Sequence, residues 1–170
     1  MTPRPADSPA RPRVEGDRER EILEATLEVL VEVGYDRLPL DAVAAAAKAS
    51  KATLYRRWNG KASLVVDALA HDKGPAPDPP DTGSLREDLR QAYCGLGGLA
   101  SPRQTTLFGS IITAITTDAE FADAFREVVV GPKIAAARAI WERAVARGEV
   151  SPDADLEVLE PALAGILMHR

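Results

Sequence analysis

Apolar side chains recur at helical spacing through most of the chain. One side of a predicted helix over 18–33 carries Ile22, Leu23, Leu27, Leu30 and Val31. Its other side carries Glu24, Glu28 and Glu32, as expected for an amphipathic helix. No segment shows the sustained alternation with a period of two that indicates a half-buried strand. The sequence therefore predicts an all-α protein.

Three short helices are predicted to follow, over 41–47, 51–58 and 61–72. Pro39 stands at the start of the second helix, where a residue without an amide hydrogen is tolerated. Ser50 is a good N-cap for the third helix, and Lys48 with Ala49 forms a tight turn before it. Two short helices joined by such a turn indicate a helix-turn-helix.

A proline-rich segment separates this region from the rest of the chain. Four prolines within 73–83 exclude a helix there, so this segment is predicted to be a linker. The linker divides a helix-turn-helix domain at 18–72 from a helical regulatory domain at 84–170, and 1–17 is predicted to be a disordered arm. In the second domain, helices are predicted to start near Ser84, Pro102, Asp118, Pro132 and Asp153.

Composition excludes several classes of protein. The 170-residue chain is 28% charged with a net charge of -5, which suits a folded soluble protein. No apolar run approaches the ~18–20 residues of a membrane span, and no signal peptide is recognisable, so a cytoplasmic location is expected. One cysteine and two histidines cannot form a dispersed zinc cage. No catalytic residue, metal or cofactor is predicted.

Positive charge is concentrated around the predicted third helix. The window 48–61 contains five cations and no acid: Lys48, Lys51, Arg56, Arg57 and Lys61. On a helical wheel, Leu54 and Trp58 share one face and can form a small core with Val43, Ala44 and Ala47. Ala52 and Arg56 point away from that core, with Thr53 and Arg57 on one flank and Tyr55 on the other. Such a helix fits the major groove of DNA, although a solvated charged face is the alternative.

The stretch 38–69, LPLDAVAAAAKASKATLYRRWNGKASLVVDAL, resembles the DNA-binding domain of the TetR (tetracycline-repressor-like) family of bacterial regulators. The segment SKATLYRRW followed by Gly-Lys is highly specific to that family. The resemblance implies that four residues face the major groove, namely Lys51, Ala52, Tyr55 and Arg56. It implies that Thr53, Arg57 and Lys61 hold the DNA backbone.

Two positions depart from the family pattern. Lys48 replaces a usual turn glycine, and Pro39 replaces a usual threonine whose hydroxyl touches phosphate. Pro39 cannot make that contact, so a small loss of affinity is expected. A charge at Lys48 near the DNA backbone partly offsets this loss.

The second half resembles the regulatory domain of one TetR subgroup, through AVARGEVSPDADLEVLEPALAG. The resemblance implies a small-molecule pocket, and a homodimer formed by the last two helices that binds a palindromic operator, most often as a repressor. The chain is expected to end within the first of those two helices, as if part of a longer protein. Candidate pocket residues are Tyr93, Cys94, Phe108, Ile111, Ile112, Phe125 and Trp141, with ordinary helix packing as the alternative.

Three other classes remain open at this point. An architectural nucleic-acid-binding protein would have no effector, and a protein-interaction module would not bind duplex DNA. An α-helical enzyme is also conceivable, but the sequence contains no HExxH, nucleophile elbow or phosphate loop.

Overall fold

The computed structural model describes residues 15–74, 78–94, 101–159 and 162. The helices are α1 (Glu15–Val33), α2 (Leu40–Ala46), α3 (Lys51–Arg57), α4 (Lys61–Lys73), α5 (Leu85–Cys94), α6 (Pro102–Thr117), α7 (Ala119–Phe125) and α8 (Gly131–Ala146). A π-helical turn, Arg126–Val130, joins α7 to α8, and 156–159 are also helical. No strand occurs within these ranges, and the predicted all-α class is confirmed.

The predicted helices of the first half are present with small shifts at their ends. The first helix starts at Glu15, so 15–17 belong to it and not to a disordered arm; the remainder of the predicted arm lies outside the described residues. The second helix lies one residue earlier than predicted. The third ends at Arg57, because Trp58 adopts an extended backbone (φ -119°, ψ 136°) and its ring enters the core.

One hydrophobic core extends across both halves of the chain. In the first half, α1 packs on α2 and α4 through residues such as Leu30 and Leu64. The second half joins the same core, because α6 packs on α1 and α7 packs on α4. The second half contributes three buried side chains to this core, those of Leu107, Ala114 and Phe121. This shared core holds the helix-turn-helix against α6 and α7.

The second half of the predicted linker is attached to the regulatory helices. Arg143 on α8 donates hydrogen bonds from Nη2 to the carbonyls of Pro79 and Pro80, at 3.3 and 2.5 Å. Buried Asp88 on α5 accepts hydrogen bonds from the amide and hydroxyl of Thr82, both at 2.7 Å. Residues 79–82 are therefore folded onto α5 and α8, while 75–77 lie outside the described residues.

The sequence predicts separate helices that start near Asp118 and near Pro132, whereas the structure shows a continuous helical run from Ala119 to Ala146. The π-helical turn accommodates the proline. The amide of Gly131 donates to the carbonyl of Arg126, five residues earlier, instead of to the usual carbonyl four residues earlier. A Cβ at Gly131 would lie 3.3 Å from that carbonyl oxygen, so a glycine suits this tight turn.

Candidate nucleic-acid interface

The third helix is held by a cap and an apolar underside. Ser50 Oγ accepts a 3.1 Å hydrogen bond from the Thr53 amide, and it lies 2.8 Å from the Thr53 hydroxyl. All five residues predicted for the helix-turn-helix core are buried: Val43, Ala44, Ala47, Leu54 and Trp58. The Trp58 indole also donates a 2.8 Å hydrogen bond to Asp67 on α4. These contacts fix α3 on one side and leave its other side facing solvent.

The outer face of α3 presents the four residues expected to read DNA bases. Lys51, Ala52, Tyr55 and Arg56 are all exposed. Tyr55 is 56% exposed, which is unusual for a large aromatic side chain and leaves its ring accessible to a ligand. Within the described part of the chain, no ion pair or hydrogen bond engages the Arg56 side chain, so its five N–H donors are open.

Acidic side chains from neighbouring helices hold two of the other cations. Lys51 Nζ lies 2.9 Å from a carboxylate oxygen of Asp41 on α2, and this hydrogen bond raises the pKa of the Lys51 ammonium. Arg57 is paired with Glu19 on α1 at 2.8 Å. Sequence reasoning did not identify either acid, because ion pairs between helices leave no local spacing signal. DNA phosphates would compete with both carboxylates.

The turn before α3 retains a left-handed backbone although its residue is lysine. Lys48 has φ +51°, a conformation that favours glycine. Its carbonyl accepts a hydrogen bond from Arg18, and its side chain is exposed. The turn geometry is therefore kept, with some backbone strain. Pro39 occupies the N-cap of α2 without any side-chain capping bond.

Lys61, at the start of α4, is the most constrained of the predicted phosphate-binding residues. Its ammonium donates a 3.2 Å hydrogen bond to the carbonyl of Tyr35 and lies 4.1 Å from the centre of the Tyr35 ring. The Tyr35 hydroxyl in turn donates to Asp118, the N-cap of α7, at 2.6 Å. Sequence reasoning did not identify this contact between the two halves.

The predicted pocket residues do not form one group in the structure. Trp141 is buried, Ile111 and Phe125 pack partly buried on the shared core, and Phe108 is half-buried. Ile112, by contrast, is 45% exposed, so it does not line an enclosed pocket within the described residues. Tyr93 and Cys94 belong to α5, but their side chains lie outside the described residues. None of the seven lines the cleft beside Glu24, His71 and Arg103 or the cleft beside Gly34, Thr106 and Ser110.

A metal-binding cluster and a membrane-spanning helix are both absent from the described residues. No cluster of three or more histidine, cysteine, aspartate or glutamate side chains that could hold a metal ion occurs among them. None of their helices has both the length and the apolar character that crossing a bilayer requires.

Comparison with known proteins agrees with both halves of this architecture. Residues 22–68 match the family model for bacterial regulatory proteins of the tetR family, and 79–170 match that for the tetracyclin repressor-like C-terminal domain. The DNA-binding transcriptional repressor TetR of Mycobacteroides abscessus is 39% identical over 90% of this chain and 81% of its own length. An uncharacterised HTH-type regulator of Mycobacterium tuberculosis is 41% identical over 97% of this chain and 81% of its own length.

Solved structures share the fold over most of its length. The TetR family transcription regulator SCO0332 superposes with a TM-score of 0.68 at 31% identity, covering 91% of this chain and 85% of its own. Salmonella enterica GusR superposes with a TM-score of 0.75 at 21% identity, covering 91% and 82%. The chain therefore belongs to the TetR family and is a DNA-binding transcriptional regulator.

Proposed function

We propose that this regulator, which is not an enzyme, represses transcription as a homodimer on a palindromic operator and responds to a small molecule. The observation that carries the DNA-binding part is the exposed face of α3. Arg56 is open to donate two hydrogen bonds to a guanine, a contact worth roughly 1–3 kcal/mol of discrimination. Small Ala52 lets the helix backbone approach base edges, and exposed Lys51 and Tyr55 flank these two.

The contacts with the DNA backbone are assigned to three cations and one threonine hydroxyl around this face. Lys48, Thr53, Arg57 and Lys61 would meet phosphates and fix the register of α3 without reading sequence. In a dimer, the two recognition helices would lie about one turn of DNA apart, ~34–36 Å. The repressor name of the Mycobacteroides abscessus relative supports repression in preference to activation.

A buried, unsatisfied donor supports the small-molecule part of the proposal. Trp141 is only 8% exposed, and its indole nitrogen has no hydrogen-bond partner among the residues that the structure describes. A buried N–H without an acceptor is costly, so a ligand that supplies one would bind favourably beside α8. A mostly apolar effector with one hydrogen-bond acceptor suits this position. The flavonoid-responsive regulator FrrA, which has a similar fold, supports a response of this kind.

The effector would act by changing the separation of the two recognition helices. It must bind more tightly to the conformation whose spacing does not fit the operator, because only a difference in affinity between two states shifts their populations. The helix α4, which packs on both α1 and α7, is the proposed lever between effector and DNA.

Selection of bound duplexes from random DNA tests this function. The expected products are palindromes with half-sites one helical turn apart, bound by two chains in sedimentation analysis. Repetition with an effector library should release the DNA. A Trp58→Phe variant leaves Trp141 as the only tryptophan, so effector binding should change its fluorescence. DNA binding that ignores every small molecule would favour an architectural protein.

A further inference from the structure

Tyr35 contacts two residues of the regulatory half of the chain and Lys61 of the DNA-binding half. Its side chain is only 2% exposed. Its hydroxyl donates a 2.6 Å hydrogen bond to Oδ2 of Asp118, and its ring centre lies 4.8 Å from that of Phe121. On the other side, the Lys61 ammonium contacts both its carbonyl and its ring. A single residue thus links the start of α4 to the start of α7.

Asp118 divides its carboxylate between these two halves. Its Oδ1 accepts a 3.0 Å hydrogen bond from the Phe121 amide, which caps α7, while Oδ2 accepts from Tyr35. The bond to Tyr35 lowers the pKa of the Asp118 carboxyl, so the acceptor is charged at neutral pH. Hydrogen bonds to charged groups are stronger than neutral ones. A tilt of α7 would therefore move Asp118 and strain or break a strong contact.

We propose that Tyr35 is a positioning residue for DNA binding, whose bond to Asp118 holds Lys61 where its ammonium meets the DNA backbone. The orientation of α7 then sets the strength of the Lys61 contact. An ammonium has three donors, and the carbonyl of Tyr35 accepts from one, so others remain for a phosphate. The placement of Lys61 on the backbone rests on the function proposed above.

Two double-mutant cycles test this role with the full chain. The probe is a fluorescent duplex that the wild-type protein selects from random DNA, titrated at fixed salt. Tyr35→Phe removes the hydroxyl but keeps the ring, and Asp118→Asn weakens the acceptor. Lys61→Met removes the ammonium but keeps an apolar side chain on the Tyr35 ring. Thr117→Val is the control, because it removes a neighbouring hydroxyl that lies 3.4 Å from Asp36 and otherwise bonds a carbonyl oxygen of its own helix, at Thr113.

Tyr35→Phe is expected to weaken DNA binding about three- to tenfold, which is less than the full strength of a hydrogen bond to a charged group, because the bond acts on DNA only through Lys61. Addition of Asp118→Asn should give little further loss, because both changes break one contact. In the Lys61→Met background, Tyr35→Phe should have almost no effect on affinity, which a merely structural role would not produce. Thr117→Val should change affinity less than twofold.

Several results would overturn the proposal. The first is that Tyr35→Phe and Asp118→Asn both leave the DNA affinity unchanged while circular dichroism shows them folded. The second is that Tyr35→Phe has the same effect on affinity with and without Lys61→Met. The third is that Lys61→Met itself does not change the affinity. The symmetry of the selected duplex is a separate result. A non-palindromic duplex would contradict the proposed function. The two double-mutant cycles could still be measured with that duplex, so the role of Tyr35 would be tested separately.

Discussion

Nη2 of Arg57 on α3 lies 2.9 Å from Oε1 and 2.8 Å from Oε2 of Glu19 on α1, 38 residues earlier in the chain. Arg57 is one of the cations proposed to contact DNA phosphates. Without DNA, this guanidinium is held by a carboxylate of the same chain. Glu19 therefore aligns Arg57 and also competes with DNA for it.

We expect Glu19→Gln to strengthen DNA binding about two- to fivefold at low salt, because an exposed ion pair contributes at most about 1 kcal/mol. The gain should shrink as salt is raised, since exposed charges are screened. Fluorescence titrations at several salt concentrations measure this. Glu24→Gln is the matched control: Glu24 is on the same helix, but it lies 3.8 Å from Arg20 and not next to α3. Equal gains from both variants would indicate a net-charge effect and contradict the role of Glu19.

The left-handed turn at Lys48 gives a prediction about stability. Lys48→Gly and Lys48→Ala remove the same charge, but only glycine relieves the positive φ. The glycine variant should be more stable than the alanine variant by about 1 kcal/mol, a difference of about 2–4 °C in Tm. Thermal unfolding followed by circular dichroism compares them. Equal Tm values would show that the turn does not strain a residue with a side chain.

Both variants should also bind DNA slightly more weakly than the wild type. The loss of one cation near the backbone should lower the salt dependence by the same amount in each. A loss of affinity in Lys48→Gly alone would instead indicate that the turn, and not the charge, is required.

The buried carboxyl of Asp88 gives a prediction about acid stability. Its hydrogen bonds from the Thr82 amide and hydroxyl, with the nearby Arg147 guanidinium, hold its pKa below the usual value. A lowered pKa stabilises the fold above the unfolded-state pKa of about 3.9, and this stability is lost as pH falls through the lower folded-state value. Urea unfolding at pH 7 and near pH 3 measures the loss.

Asp88→Asn should be less stable than the wild type at pH 7 and should lose less stability on acidification. Exposed Asp123, paired with Arg126 within one helical turn, supplies the control Asp123→Asn. An acid dependence in Asp88→Asn as steep as that of the wild type would show that other carboxyls control acid unfolding.

Local signals made the helix-turn-helix predictable. The spacing of Leu54 and Trp58 identified the buried side of α3, and the Ser50 cap marked its start. Both signals act within one or two helical turns, so sequence alone contains them. The prediction also left Arg56 on the outer side, where the structure shows it exposed.

Contacts between distant segments were not predictable from those signals. Tyr35 and Asp118 are 83 positions apart, and nothing in the residues next to either of them indicates that the two side chains meet. The sequence identifies Asp118 only as the start of a helix, a position that accounts for one of its two carboxylate oxygens. The helix continues past Pro132 because the chain forms a π-helical turn just before it. In that turn the Gly131 amide donates to the carbonyl of Arg126, five residues earlier, and the sequence does not signal this bond.

The most direct test of the account compares the base preferences of wild type, Arg56→Ala and Lys61→Met on a panel of single-base variants of the selected duplex. Arg56→Ala should relax the preference at one position per half-site, with about 1–3 kcal/mol less discrimination there. Lys61→Met should weaken all duplexes evenly and flatten the salt dependence. If Arg56→Ala also weakens every duplex by the same factor, the exposed face of α3 does not read bases through Arg56.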